Sequence, residues 1–209
     1  MNSKHAQNII STLGTKYTDK PSLNYATPYQ LLVAVVLSAQ CTDNRVNQVT
    51  EKLFAVAPTP QDMLKLSLQE LEGYIFSCGL YHSKATHVLS LSKDIVERFN
   101  GVVPNDYQSL NSLAGVGRKT ANVVYSVAFN GQAIAVDTHV FRVAERIGFT
   151  TNSKTPLQTE KALMKYIPKE KWRATHHYLI YLGRDTCKAG TPNCSGCVIN
   201  GLCKKNIKK

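Results

Sequence analysis

Long apolar runs are missing from this 209-residue chain: the longest, Leu31 to Leu37, falls far short of the ~20 residues a membrane-crossing helix needs. No membrane partner is expected. No segment repeats at a fixed period, which excludes solenoids and propellers. Low-complexity tracts are absent too, and hydrophobic residues at 43% with charged residues at 19% exclude intrinsic disorder. Strand-like alternation is rare, which argues against a sheet-built fold. The opening Met1-Asn2-Ser3-Lys4-His5 leads into a mixed polar segment without the apolar stretch of a secretory signal, so a cytoplasmic location is expected, or the nucleus or an organelle in a eukaryote.

Acid is scarce as well. There are 14 Asp plus Glu against 25 Lys plus Arg, a net charge of +11. The imbalance is local: residues 1–104 carry nine basic and eight acidic side chains, whereas residues 105–209 carry sixteen basic and six acidic. A concentrated positive surface favours polyanions, because binding releases counterions condensed on a phosphate backbone.

What the chain does have is helical periodicity. The spacing of apolar residues predicts helices over 29–40, 44–54, 59–66, 68–75, 83–99, 107–113, 118–129, 138–147, 156–166 and 173–187, joined by short links. The fold class is all-α. The first of these helices opens at Thr27-Pro28, a cap followed by proline, and is apolar almost all the way round, so it must be central and buried. Residues 133–136, Ala-Ile-Ala-Val, are too few for a sheet and read as a buried connector.

Residues 113–121 read Leu-Ala-Gly-Val-Gly-Arg-Lys-Thr-Ala, a tight turn between two helices. Gly115 and Gly117 permit positive φ and close backbone approach, and the N–H groups at the start of the next helix suit a phosphate. A plain turn between packed helices is the competing explanation. Lys119 stands in the first turn of that helix, where a cation opposes the macrodipole. It fits a phosphate counter-charge and a nucleophile equally, since the dipole and partial burial would favour the neutral amine. Asp137 directly precedes a helix with apolar spacing at Val140, Val143, Ala144 and Ile147, and helix capping alone would explain it.

Six cysteines are present. Cys187, Cys194, Cys197 and Cys203 form C-x6-C-x2-C-x5-C, interspersed with Gly190, Pro192 and Gly196, which let the backbone wrap. Four thiolates this close mark a metal centre, and both tetrahedral zinc and a [4Fe-4S] cube accept them. Cys41 and Cys78 lie in apolar helical sequence and read as small core residues.

Taken together, these segments resemble the helix-hairpin-helix (HhH-GPD) DNA glycosylases, and within them the endonuclease III family. The resemblance covers almost the whole chain and rests on Leu37-Ser-Ala-Gln-Cys-Thr-Asp43, Gly79-Leu-Tyr-His-Ser-Lys-Ala85, residues 113–124, Ala135-Val-Asp-Thr-His-Val-Phe-Arg-Val143 and the cysteine spacing. It implies two domains. One is a six-helix barrel over 21–131 that contains the helix-hairpin-helix at about 107–129. The other is an iron–sulfur cluster domain built from 1–20 plus 132–209.

The resemblance also implies one [4Fe-4S] cluster on Cys187, Cys194, Cys197 and Cys203, structural and DNA-positioning. Lys119 matches the family's Schiff-base lysine and Asp137 its catalytic aspartate. Gln40 and Leu80 match residues that enter the duplex and fill the space of an extruded nucleotide. Gly115, Val116, Gly117 and Arg118 of the hairpin, with Lys188 between the first two cluster cysteines, are expected to contact DNA. Ser38, Asp43 and His139 match pocket neighbours. Three positions depart from the pattern: Ala114 for a usual proline, Cys41 where many relatives have Ala, and Cys78 for an apolar residue.

The implied activity is that of a bifunctional DNA glycosylase and abasic-site lyase of base excision repair, a monomer. It would act on double-stranded DNA containing a damaged pyrimidine or an abasic site, removing oxidised pyrimidines and cleaving the strand on the 3′ side. Two alternatives stand beside it: an adenine-mismatch glycosylase, which Lys119 counts against, and a non-catalytic DNA-structure-binding protein, which would leave every lesion intact.

Overall fold

The computed structural model describes residues 1–207, and among them there are helices and no strand. The helices are α1 (Ser3–Gly14), α2 (Pro28–Leu37), α3 (Asp43–Val56), α4 (Pro60–Met63), α5 (Leu68–Ile75), α6 (Tyr81–Phe99), α7 (Tyr107–Asn111), α8 (Arg118–Ala128), α9 (Thr138–Ile147), α10 (Pro156–Tyr166) and α11 (Trp172–Asp185), the last preceded by a 3₁₀ turn at Lys169–Lys171. None is long and apolar enough to cross a membrane. The chain divides into two compact units, residues 21–131 and residues 1–20 together with 132–209.

The continuous unit is organised on α2. Thr27 accepts a hydrogen bond from the Gln30 N–H and Pro28 occupies the first turn, which starts the helix without an unsatisfied donor. Every residue from Tyr29 to Leu37 is buried, as the all-round apolar sequence predicts, and α2 packs against α3, α6 and α8. Fully burying Leu31, Leu32 and Leu37 contributes about 1.5–3 kcal/mol each. Two polar contacts lock this core: the Tyr29 hydroxyl meets Ser92 Oγ at 2.6 Å, and the buried Lys84 amine donates to the Leu37 carbonyl at 2.8 Å. The second satisfies an orphan carbonyl at the end of α2. The helix stops at Leu37 rather than at residue 40 because Gln40 turns to φ +52.

The discontinuous unit contains a helix absent from the sequence prediction. Helix α1 is capped by Asn2 and buries Ala6, Ile9, Ile10 and Leu13, an i, i+3, i+4, i+7 stripe hidden within a largely polar segment. That stripe joins one core with Val140, Val143, Ala144 and Ile147 of α9, Leu163 of α10, and Leu179 and Leu182 of α11. Ile134 and Val136 of the irregular connector are buried in the same core.

Candidate functional site

In the continuous unit, α7 and α8 are joined by the glycine turn. Gly115 has φ +71, and a Cβ there would stand 2.7 Å from Cβ and Cγ of His87, so glycine is required twice over. Gly117 departs from expectation: at φ −82 and ψ 176 it is ordinary extended backbone, with open space where a side chain would go. It serves as the N-cap of α8 and offers no side-chain cap to the first turn, the kind of helix start that suits an anion. Val116 is buried and its N–H donates to the Leu113 carbonyl at 3.1 Å, so neither group faces a ligand. Arg118 lies over Tyr107, 5.7 Å from the ring centroid, with Nη1 3.4 Å from the hydroxyl.

Lys119 is exposed, and its amine has no hydrogen bond or ion pair among the described residues. The expected partial burial is not supplied by this unit, because the first turn of α8 faces outward.

Gln40 (φ +52) and Leu80 (φ +59) are both exposed and both left-handed. A bulky side chain in that region is a genuine outlier, and such strain clusters at functional sites. Their loops touch, since a Cβ on Gly79 would lie 3.1 Å from the Gln40 carbonyl oxygen. Nearby, Ser38 Oγ donates to the Val35 carbonyl at 2.8 Å and Ser22 Oγ donates to the Asp43 carboxylate. Cys78 is buried as expected, but Cys41 is only half-buried and is therefore not a core residue.

In the discontinuous unit, Asp137 caps α9: Oδ1 accepts the Val140 N–H at 2.8 Å, while Oδ2 makes no hydrogen bond among the described residues. Nδ1 of His139 faces Arg142 Nη2 at 3.3 Å, and the same Nη2 reaches the carbonyls of Gly183 at 2.9 Å and Cys187 at 3.1 Å. Burial, and then the neighbouring Arg146, lower the Arg142 pKa from its usual value. Gly183 lets α11 approach, because a Cβ there would sit 3.0 Å from His139 Cβ. Arg146 in turn donates to the carbonyls of Lys188 at 2.7 Å and Ala189 at 2.8 Å, which fixes the backbone beneath the exposed Lys188.

The four tail cysteines line one cavity of about 30 Å³ together with Ile147, Leu182, Pro192 and Ile199. Burial foremost, with the neighbouring cysteines adding to it, pushes the Cys197 and Cys203 thiols up. As thiolates they would need positive charge beside them, which a bound metal centre supplies. No group of three or more His, Cys, Asp or Glu that could hold a metal ion occurs among the described residues.

Residues 33–169 match the HhH-GPD superfamily of base excision DNA repair proteins. The chain is 46% identical to endonuclease III of Bacillus subtilis across 100% of its own length and 96% of that protein, and 49% identical to endonuclease III of Haemophilus influenzae across 89% and 88%. It also resembles a solved structure of a trapped endonuclease III–DNA covalent intermediate, with a TM-score of 0.93, 46% identity and coverage of 98% of this chain and 97% of that one. The chain belongs to the endonuclease III family.

For this endonuclease III family member, the sequence reading missed the residues that hold the site from behind. Arg142 and Arg146 recur with His139 along α9 opposite its apolar stripe, so a basic stripe of helical period was the available signal. Gly183 and Lys84 carried no signal, since what each does depends on a neighbour distant in sequence.

Proposed function

We propose that this chain is a bifunctional DNA glycosylase and abasic-site lyase of base excision repair, acting on double-stranded DNA that contains an oxidised pyrimidine or an abasic site. One observation carries the reading: the chain matches, nearly end to end, an endonuclease III trapped in a covalent intermediate with DNA. A covalent intermediate requires a nucleophile, and the exposed, unpaired amine of Lys119 supports that role.

In this reading residues 21–131 are the six-helix barrel domain and residues 1–20 with 132–209 the cluster domain. The uncapped first turn of α8 receives a DNA phosphate, with Gly115, Gly117 and Arg118 contributing, and Lys188 makes a separate basic contact to DNA phosphate. Gln40 and Leu80 enter the duplex, offsetting part of the cost of extruding the damaged nucleotide. The Lys119 nitrogen attacks C1′ of the deoxyribose, the glycosidic bond breaks and the base leaves. Ring opening gives a protonated imine, which acidifies the C2′ hydrogen. Loss of that proton breaks the C3′–O bond, cutting the strand on the 3′ side. Asp137 stabilises the positive charge that develops on the sugar and accepts the lysine's proton. Its free Oδ2 supports this double duty, since Oδ1 keeps the helix cap.

Cys187, Cys194, Cys197 and Cys203 would hold one [4Fe-4S] cluster, whose iron atoms neutralise four thiolates and cross-link the tail. The cavity they line supports this, and a cube bonds its thiolates to separate irons rather than converging them on one ion. Iron and sulfide analysis is expected to give about four irons per chain. One zinc and no iron would overturn the assignment.

Borohydride trapping on a duplex with one thymine glycol tests the chemistry. A covalent band is expected on the damaged duplex alone and should vanish in Lys119→Ala. Trapping retained in that variant removes Lys119 as the nucleophile. No band from folded, DNA-binding wild-type protein removes the imine mechanism.

A further inference from the structure

Two cysteines play no part in the reaction above. Cys41 follows Gln40 in the loop after α2, and Cys78 precedes Gly79 and Leu80 in the loop before α6. These loops are in contact, since a Cβ on Gly79 would lie 3.1 Å from the Gln40 carbonyl oxygen, which brings the neighbouring Cys78 and Cys41 together, close enough for Cys41 to influence the Cys78 thiol. Both thiols are free, but their access differs: Cys41 is half-buried, whereas Cys78 is 1% exposed. Burial, followed by the contact with Cys41, pushes the Cys78 thiol up to about 11, against the opposing charges of Lys84 and Arg45. The pair thus consists of one sulfur that a small oxidant can reach and one that is sheltered beside it. That is the division between an attacking and a resolving thiol.

We propose that Cys41 and Cys78 form an oxidation site at which a peroxide joins the two loops by a reversible disulfide, fixing Gln40 and Leu80 relative to each other. The Cys41 thiolate attacks one oxygen of hydrogen peroxide and the O–O bond breaks. Hydroxide leaves, takes up the proton the thiol gave up and becomes water, and Cys41 becomes a sulfenic acid. Cys78 sulfur then attacks the sulfenic sulfur, the S–O bond breaks, and the hydroxyl departs as water with the Cys78 proton. Two thiols lose two electrons in total, and one peroxide becomes two waters. A dithiol reverses the change by exchange through a mixed disulfide. Because both loop tips are held in strained left-handed backbone, a covalent tie beside them restricts the adjustments that entry into a duplex requires. That last consequence rests on the proposed function; the bridge itself does not.

The test treats reduced holoenzyme with hydrogen peroxide, blocks remaining thiols by alkylation, and maps the protein by mass spectrometry without reduction. Incision of an abasic duplex and iron content are measured on the same samples, before and after dithiothreitol. The expected result is a linked Cys41–Cys78 peptide, two hydrogens lighter than its separate parts, and a loss of incision that dithiothreitol reverses at unchanged iron content. Cys41→Ala and Cys78→Ala should incise normally and show neither effect. Cys41→Ala, at the half-buried position, guards against a folding failure of the buried variant. Thiols that stay separately alkylated, or that become separate sulfinic acids, overturn the proposal. A linked peptide with unchanged incision overturns its functional half. Reduced protein that never incises counts against the proposed function instead, while the linked peptide still decides the bridge.

Discussion

Arg142 joins His139 to Cys187, with Nη2 3.1 Å from the Cys187 carbonyl oxygen and 3.3 Å from Nδ1 of the imidazole. A guanidinium can only donate, so Nδ1 accepts and the ring proton resides on Nε2. One side chain therefore sets both the imidazole tautomer two residues from Asp137 and the backbone of the first tail cysteine. Arg142→Ala is expected to lower stability by about 1.5–3 kcal/mol, the range for hydrogen bonds to a charged group. Arg142→Lys keeps the charge but loses the planar fork and should recover only a minor part. Urea unfolding of the two variants beside wild type measures this.

Asp137 has two jobs that substitution can separate. Asparagine caps helices as well as aspartate does, so Asp137→Asn should unfold within about 0.5 kcal/mol of wild type, whereas Asp137→Ala should lose about 1 kcal/mol. Both should lose most base excision in single-turnover assays. An asparagine variant that keeps wild-type excision would show that the carboxylate is only a cap.

Gly115→Ala combines a left-handed backbone with a collision against His87. The backbone part alone is expected to cost about 1–2 kcal/mol. In the double variant with His87→Gly, which removes both the Cβ and the Cγ that the new methyl would meet, the steric part should disappear relative to His87→Gly alone while the backbone part stays. Denaturant melts of the single and double variants resolve the two.

The end of α11 is tied to the segment after α1 through Asp185, whose carboxylate accepts from Lys16 at 2.7 Å and Tyr17 at 3.0 Å. The Lys16 bond, with Thr186 and Tyr17, depresses the Asp185 pKa to about 2. An unfolded Asp titrates near ~3.9, so between these values the unfolded chain binds more protons. The stabilisation is therefore fully present above about pH 4 and fades as the pH falls through about 2. The pair is exposed, so the effect is small and sensitive to salt. Melting temperatures of wild type and Asp185→Asn should differ at pH 5 to 7, in roughly the range of full stabilisation, and converge near pH 2.

Much of the fold was legible because its determinants are local. An apolar run with Thr27-Pro28 before it can only be a buried helix, and Asp137 announces α9 by the chemistry of caps. Helix α1 was obscured because four apolar residues at helical spacing are diluted by polar ones, and only their packing against α9, α10 and α11 reveals the stripe. The strained backbone at Gln40 and Leu80 has no sequence signature, since neither residue type favours positive φ. The approach of Cys41 to Cys78 was equally hidden, because it depends on two loops 37 residues apart meeting at Gly79. Lys119 was found by the rule it breaks, but its exposure follows from how α8 is set in its unit.

The discontinuous unit has a consequence for the order in which the chain is made. Helix α1 leaves the ribosome before residues 21–131, yet every helix that shares its core begins at Thr138 or later. At about 5–20 residues per second its apolar stripe waits roughly 6–25 s for a partner, while the whole of residues 21–131 emerges and can fold in between. Until α9, α10 and α11 follow, the stripe of Ala6, Ile9, Ile10 and Leu13 has nothing of its own core to pack against, and the tail cysteines, made after all three, join that core later still.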